Sequence, residues 1–419
     1  MADGRYADDG KVRMNDGSET VSGVSNLPGI DERALRAYRL ERVMTQLVRH
    51  DLAGIVLFDP INVRYATGSR NMQVWAMHNA MRYAFIAPDG PVILFDYPGS
   101  SHLSDHLETI DEQRPAIGWD FLGSGTRNEE HAERWAAEIA DLVARYGGGN
   151  KRIAMDRVDL LPLRALVGRG VDVADGKGVM EIARSVKSDE EIRAMRHSID
   201  VCAKSMTRMR EVLEPGVRES EMLATLIYEN VRLGGEYPET RLLTSGPRTN
   251  PWLQETSDRI LEPGDLVAFD TDLIGPFGFF TDVSRTWLVG ESKPSDEQRR
   301  LYTLAREQLE HNAELLRPGL SLLEMTEKSW KMPDAYVPNR YAEIVHGAGM
   351  AVEYPQVFYP EDVEASGYDG VFEENMVVCV ESYIGAVGGR EGVKLEQPVV
   401  ITRDGSQPLC TYPFEDHFH

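Results

Sequence analysis

The stretch FDTDLIGPFGFFTDVSRTW, residues 269–287, reads as two strands joined by a short Gly/Pro turn. Side chains two apart on a strand share a face, so Asp270 and Asp272 are expected to point the same way. Asp282 then returns on the paired strand, with Phe280 and Ser284 on its own face. Further on, MVVCVESYI (376–384) and GVKLEQPVVI (392–401) are β-rich runs with Glu381 and Glu396 set among apolar neighbours, and HGAGM (346–350), ahead of both, supplies His346. A lone carboxylate in such a run is costly to bury. Five carboxylates and one imidazole within residues 270–396 remove that cost if they hold two divalent cations, about 3.5–4 Å apart and bridged by carboxylates. Oxygen-dominated ligands with a single His suit Mn, Fe, Co or Zn, whereas a structural zinc site wants Cys. Any one of these acids alone is equally an ordinary strand or loop residue. The six together point to a dinuclear metalloenzyme.

At 419 residues the chain is too long for one ordinary core, so two domains are expected. A formal charge of -23 argues against nucleic-acid or anionic-membrane partners. Cys202, Cys379 and Cys410 are odd in number and lack metal-type spacing, so they read as reduced core thiols. No stretch resembles a signal peptide or a membrane span, and a cytoplasmic protein is expected.

Residues 1–28, rich in Asp, Gly and Ser, read as a flexible tail or an arm that orders on a partner subunit. An α/β domain is expected over 29–182. It begins with the amphipathic helix DERALRAYRLERVMTQLVRH (31–50) and continues with the strands LAGIVLF (52–58), RYAFIAP (82–88) and PVILFDY (91–97). The helix EEHAERWAAEIADLVARY (129–146) and the strand RIAMD (152–156) complete the alternation. A polar stretch, DGKGVMEIARSVKSDEE (175–191), marks the boundary, and long helices near 188–213 and 218–234 open a second domain over 183–419 that holds every proposed ligand.

The motifs IARSVKSDEEIRAMRHSIDV, SGPRTNPW, EPGDLVAFDTD, GFFTDVSRTW, HGAGM, VVCVES and KLEQPVVIT resemble, in order, those of the creatinase, prolidase and methionine aminopeptidase (M24) family. The resemblance implies an α+β catalytic domain of the pita-bread fold, preceded by a creatinase-like α/β N-terminal domain. Within that family, NMQVW, ETRLLTSGPRTNPW, FDTDLIG, SRTW, GVKLEQPVVITRDG and a terminal YPF are most similar to the dimethylsulfoniopropionate lyases of the DddP type. That likeness assigns Asp270, Asp272, Asp282, His346, Glu381 and Glu396 to two divalent metal ions, iron first, with manganese, zinc or cobalt as alternatives.

Two departures bear on the activity. Peptidases of the family carry a His in the segment SGPRTNPW, where this chain has Trp252, and another seven residues after the ligand His, where it has Glu353. Those imidazoles serve the scissile amide, so their absence speaks against peptide hydrolysis. The lyases in turn carry an Asp thought to take the α-proton at the position of Val352. Valine cannot accept a proton, and Glu353 is the nearest spare carboxylate, with a structural Glu as the alternative reading.

The expected reaction is β-elimination of dimethylsulfoniopropionate, or a related zwitterion, to acrylate and dimethyl sulfide. A cationic head gains roughly 0.5–2 kcal/mol over a desolvated aromatic face. Trp75 and Tyr341 match aromatic positions at the sulfonium end of the lyases, with Tyr341 also a catalytic candidate, and Tyr354 and Trp252 are further candidates for substrate contact. Trp75 could instead pack in a core; if it reaches the pocket it crosses a domain or subunit junction, which favours a homodimer. Arg285 could brace a ligand carboxylate, Arg241 and Arg248 could clamp a substrate carboxylate or cap loops, and His78 could line the pocket. The alternatives are an M24-type hydrolase, either an Xaa-Pro peptidase or a creatinase-like C–N hydrolase, and a non-catalytic scaffold that would not need all six ligands.

Overall fold

The computed structural model describes residues 29–79 and 81–418, so the tail reading for residues 1–28 lies outside the described residues. Asp31 caps the helix Glu32–Arg49, its carboxylate accepting from the Ala34 amide at 3.0 Å. Leu35, Val43 and Leu47 form the buried stripe of that helix. The α/β alternation read over the N-terminal half is present. Strands β1 (Gly54–Leu57), β2 (Tyr83–Ile86), β3 (Val92–Asp96), β4 (Glu112–Pro115), β5 (Arg152–Met155) and β6 (Asp172–Asp175) form one mixed sheet in the order β4-β3-β2-β1-β5-β6. β1, β2 and β3 are buried at every residue, as continuous apolar runs demand, and Val56, Phe85 and Phe95 pack with Trp135, Ile139 and Leu142 of the helix Asn128–Tyr146. The edge strands β4 and β6, EQRP and DVAD, are too short and polar to give a periodic signal, and the sequence reading missed both.

In the C-terminal half Ser188 and Glu191 form a capping box at the start of the helix Asp189–Glu211. The helix Glu219–Arg232 follows. Beyond them lie a three-stranded antiparallel sheet, β7 (Leu243–Ser245), β8 (Leu266–Phe269) and β11 (Arg285–Leu288), in the order β11-β8-β7, and the small pair β9 (Leu273–Ile274) and β10 (Phe280–Thr281). The helix Asp296–Leu315 packs over the last sheet. That sheet is antiparallel throughout: β12 (Val345–Ala348), β13 (Val352–Val357), β14 (Val377–Ile384), β15 (Val393–Thr402) and β16 (Gly405–Pro408), in the order β13-β12-β14-β15-β16.

Residues Asp31–His419 form one compact unit. Buried or half-buried ion pairs tie its halves: Arg39 to Glu191 at 2.7 Å and Arg64 to Glu236 at 2.8 Å. Among the described residues no helix is long and apolar enough to cross a membrane.

Candidate metal centre

β8 stops at Phe269, and the chain leaves ladder geometry where Asp270 and Asp272 stand. Asp272 sits at φ 40, a left-handed conformation costly for a residue with a Cβ and often found at functional sites. The two carboxylates therefore converge through a kinked segment rather than along one strand face, which corrects the geometry expected from their spacing. The expected hairpin is present but brief: Thr281 pairs with Leu273 and Phe280 with Ile274. Beside Asp282 the Thr271 hydroxyl substitutes for the ladder, donating to the Thr281 carbonyl at 2.9 Å and accepting from the Val283 amide at 3.0 Å.

The other three candidates come from adjacent strands of the five-stranded sheet. Glu381 of β14 lies directly opposite Glu396 of β15, and Cys379, two residues before Glu381, lies opposite His346 of β12. Like charges face to face on a sheet destabilise it, and here both are buried. His346 Nε2 lies 3.5 Å from Asp282 Oδ2, 3.3 Å from Glu381 Oε1 and 3.5 Å from Glu396 Oε1. Its Nδ1 lies 3.1 Å from the Gly347 carbonyl; donating there leaves the Nε2 lone pair facing the carboxylates. Asp270 Oδ1, Asp282 Oδ1, Glu381 Oε1 and Glu396 Oε1 are buried with no hydrogen-bond partner. Buried anionic oxygens without donors are what bound cations satisfy. Three overlapping groups bring their ligand atoms within 4.8 Å of one another: Asp282, His346, Cys379 and Glu396; Asp270, Glu381 and Glu396; Asp270, Asp272 and Asp282. The six residues read from the sequence thus form one cluster able to hold metal.

Lys394, which the sequence reading passed over, enters this cluster from β15, two residues before Glu396 and so on the same face. Its Nζ lies 2.6 Å from Glu381 Oε2, 2.7 Å from Ser284 Oγ, 3.0 Å from Asp270 Oδ2 and 3.6 Å from Glu396 Oε2. Burial works against its charge, but Asp270, Glu381 and Glu396 outweigh burial and hold the ammonium well above its ordinary value. Burial likewise raises the Asp270 carboxyl, yet Lys394 leaves it below the carboxylate range. Asp272 and Asp282 are pushed well above that range by burial and then by Asp270. His346 is pushed down by burial but lifted further by the Glu381 and Glu396 carboxylates beside it. Without metal, protons held on Asp272, Asp282 and His346 together with the Lys394 ammonium offset the crowded carboxylates, and divalent cations would displace those protons.

The remaining candidates divide. Tyr341 reaches the cluster, its ring centre 4.8 Å from Lys394 Nζ; burial and then Glu381 keep its phenol protonated. Trp252 is buried, with its ring centre 6.1 Å from that of Tyr383, and Tyr341 packs against this pair. Trp75 is 41% exposed and meets Tyr97 edge-on, and Tyr354 stacks on Tyr368. His78 is exposed. Arg285 braces the Glu396 backbone carbonyl (2.7 Å) rather than its carboxylate, and Arg248 is bound to Glu219. Arg241 is exposed.

Glu353 requires a correction. It is buried between Arg184 Nε and Lys187 Nζ, each 3.0 Å from a carboxylate oxygen, and it accepts from the Met350 amide at 2.9 Å. Burial alone would raise its carboxyl, but Lys187 and Arg184 hold it below the carboxylate range. A carboxylate so held is a poor proton acceptor, and its geometry is that of a tie between the inter-domain segment and β13. Val352, its neighbour, is 49% exposed.

Three further residues escaped the sequence reading because nothing in their local sequence marks them. The Thr240 hydroxyl donates to Asp272 Oδ2. Cys379 lines the cluster. Glu343, 8% exposed and without an ion-pair partner among the described residues, stands three residues before His346. Burial and then Glu381 raise its carboxyl. Glu239 is also raised, to about 7, but its charged neighbour is Asp59 of the N-terminal half rather than the cluster.

Comparison with known proteins agrees with this geometry. A model of metallopeptidase family M24 matches residues 193–403, and one of the creatinase/prolidase N-terminal domain matches residues 39–186. A dimethylsulfoniopropionate lyase DddP of Roseovarius nubinhibens is 38% identical over 411 residues, covering 97% of this chain and 92% of that protein. Its namesake from Roseobacter denitrificans is 38% identical over 92% of this chain and 87% of its own length. Among solved structures, the dipeptidase PepE of Mycobacterium ulcerans superposes with a TM-score of 0.73 at 21% identity, covering 92% of this chain and 98% of that one. The fold is a creatinase-type α/β N-terminal domain followed by a pita-bread catalytic domain.

Proposed function

We propose, from the premise that this chain belongs to metallopeptidase family M24, that it is a dinuclear metal-dependent lyase cleaving dimethylsulfoniopropionate or a related zwitterion by β-elimination. The observation that carries this reading is the fate of the two positions where the family's peptidases keep imidazoles: Trp252 is packed against Tyr383, and Glu353 is locked between Arg184 and Lys187. Neither can handle a scissile amide, while all six metal-binding side chains are kept. The near full-length likeness to lyases supports the same choice.

Two divalent cations held by Asp270, Asp272, Asp282, His346, Glu381 and Glu396 would supply the positive charge that receives a substrate carboxylate and stabilises enolate-like charge. Lys394 keeps Glu381 and Asp270 in place and adds its own charge beneath them. Tyr341 and Trp252 offer aromatic surface to a cationic head. The proton acceptor, with Val352 unable to serve and Glu353 ion-paired, falls to Glu343, whose carboxylate is buried near the cluster and free of any ion pair among the described residues. In the step, the α-proton passes to Glu343, the Cα–H pair becomes the Cα–Cβ π bond, and the Cβ–S pair leaves with dimethyl sulfide. Glu343→Gln is expected to lower kcat by about 10²–10⁴-fold, the usual weight of a general base, with two metals still bound; unchanged kcat sinks the assignment.

Iron is the metal we assign first, with manganese, zinc and cobalt as alternatives. We also assign a cytoplasmic homodimer, with the domain boundary of each chain at 182/183. Exposed Val74 and Trp75 on the short helix Gln73–His78, with Met72 exposed at its start, support a partner covering that region, and three buried free cysteines support a reducing compartment.

Headspace chromatography of the purified protein with dimethylsulfoniopropionate, under iron, manganese, cobalt and zinc in turn, tests the activity. Metal-dependent release of dimethyl sulfide is expected. Proline release from Gly-Pro or Ala-Pro without dimethyl sulfide would return the chain to the peptidases.

A further inference from the structure

The three buried thiols are not equivalent. Cys379 occupies the face of β14 that also carries Glu381, opposite His346 on β12. Its Sγ is grouped with ligand atoms of Asp282, His346 and Glu396, all within 4.8 Å of one another. Within that group the His346 Nε2 contacts with Asp282 and Glu396 are both 3.5 Å. Metal–ligand bonds of about 2.0–2.3 Å in a tetrahedron give ligand–ligand edges of about 3.3–3.8 Å, so the His346–Asp282 and His346–Glu396 spacings are those of ligands around a common centre, with the Cys379 sulfur within 4.8 Å of each of them. Asp282 Oδ1 and Glu396 Oε1, in the same group, are buried without partners.

We propose that Cys379 is a thiolate ligand of one of the two metal positions, the one built on Asp282, His346 and Glu396. This position would then be a His–Cys–carboxylate site, while the neighbouring one, on Asp270, Asp272 and Asp282, offers only oxygen. As the metal–sulfur bond forms, the sulfur donates its electron pair and its proton leaves to solvent, with no change of oxidation state. Sulfur favours thiophilic ions and oxygen-only sets suit harder ones, so the two positions should differ in the metal they retain. The inference rests on the metal centre proposed above and not on which substrate is cleaved there.

The full chain, stripped with a chelator and reloaded with cobalt(II) alone, provides the test. Two bound cobalt ions with a near-ultraviolet sulfur-to-cobalt charge-transfer band are expected. The band should vanish in Cys379→Ser and persist in Cys202→Ser and Cys410→Ser. Cobalt affinity at one position of Cys379→Ser should fall by more than about 10-fold, the lower end of what losing even an outer partner of a ligand costs. A circular-dichroism spectrum matching the parent guards against misfolding, with Cys379→Ala as a second variant. Two bound cobalt ions without a sulfur band, or a band that survives in Cys379→Ser, overturns the ligand assignment alone. Failure of the parent to bind cobalt overturns the metal centre with it.

Discussion

Asp282→Ala is expected to fold, to hold fewer than two metals per chain and to release no dimethyl sulfide. Asp282 belongs to two of the three ligand groups, one with His346 and one with Asp270 and Asp272, so its removal weakens both positions. Activity should therefore fall beyond the roughly 10²–10⁴-fold that losing a general base brings. The fold should survive because the side chain works against the metal-free protein. Its carboxyl is pushed above the ordinary range in the folded chain by burial and by Asp270, so the metal-free fold binds more protons than the unfolded chain and loses stability as pH rises through that window. The metal-free variant should thus be no less stable than the metal-free parent at neutral pH. Elemental analysis together with urea melts, both after chelation, decides it; a variant with two metals and full turnover removes Asp282 from the site.

Glu353→Ala should be strongly destabilising, by about 3–5 kcal/mol, because it leaves the buried Lys187 ammonium without its carboxylate and Arg184 with Glu181 alone. Since the folded carboxyl lies below its unfolded value of about 4.3, its stabilisation is fully present above that pH and is lost as pH falls through the folded value. The parent's acid-side loss of stability should accordingly be steeper than the variant's. Glu353→Gln separates a tie from a base: it should weaken the fold while kcat per folded molecule changes little. A fold of undiminished stability with kcat lost by orders of magnitude would restore Glu353 to catalysis.

The candidate carboxylates were legible because together they stand in or beside apolar runs where unsatisfied acids are costly, and because Glu381 and Glu396 keep strand periodicity. Asp272 was legible as a ligand but not in its geometry, since a left-handed residue leaves no periodic trace. Lys394 was visible two residues before Glu396, yet a lysine in a strand reads as an edge or surface residue until the charges around it are known. Glu353 stayed open between a base and a structural Glu because Arg184 and Lys187, which neutralise it, lie more than 160 residues away. Cys379 has no neighbouring Cys or His in sequence because its partners arrive from β12, β15 and the loop before β11.

Val352 opens β13 with half its surface exposed, directly before the locked Glu353. Substitutions at such a position usually shift stability within about ±0.5 kcal/mol, and a single base change converts any valine codon ending in a pyrimidine to an aspartate codon. A change at this position is therefore cheap for the fold, whereas Glu381 and Glu396 face one another in a buried sheet and neither can change alone without unbalancing the charge around it.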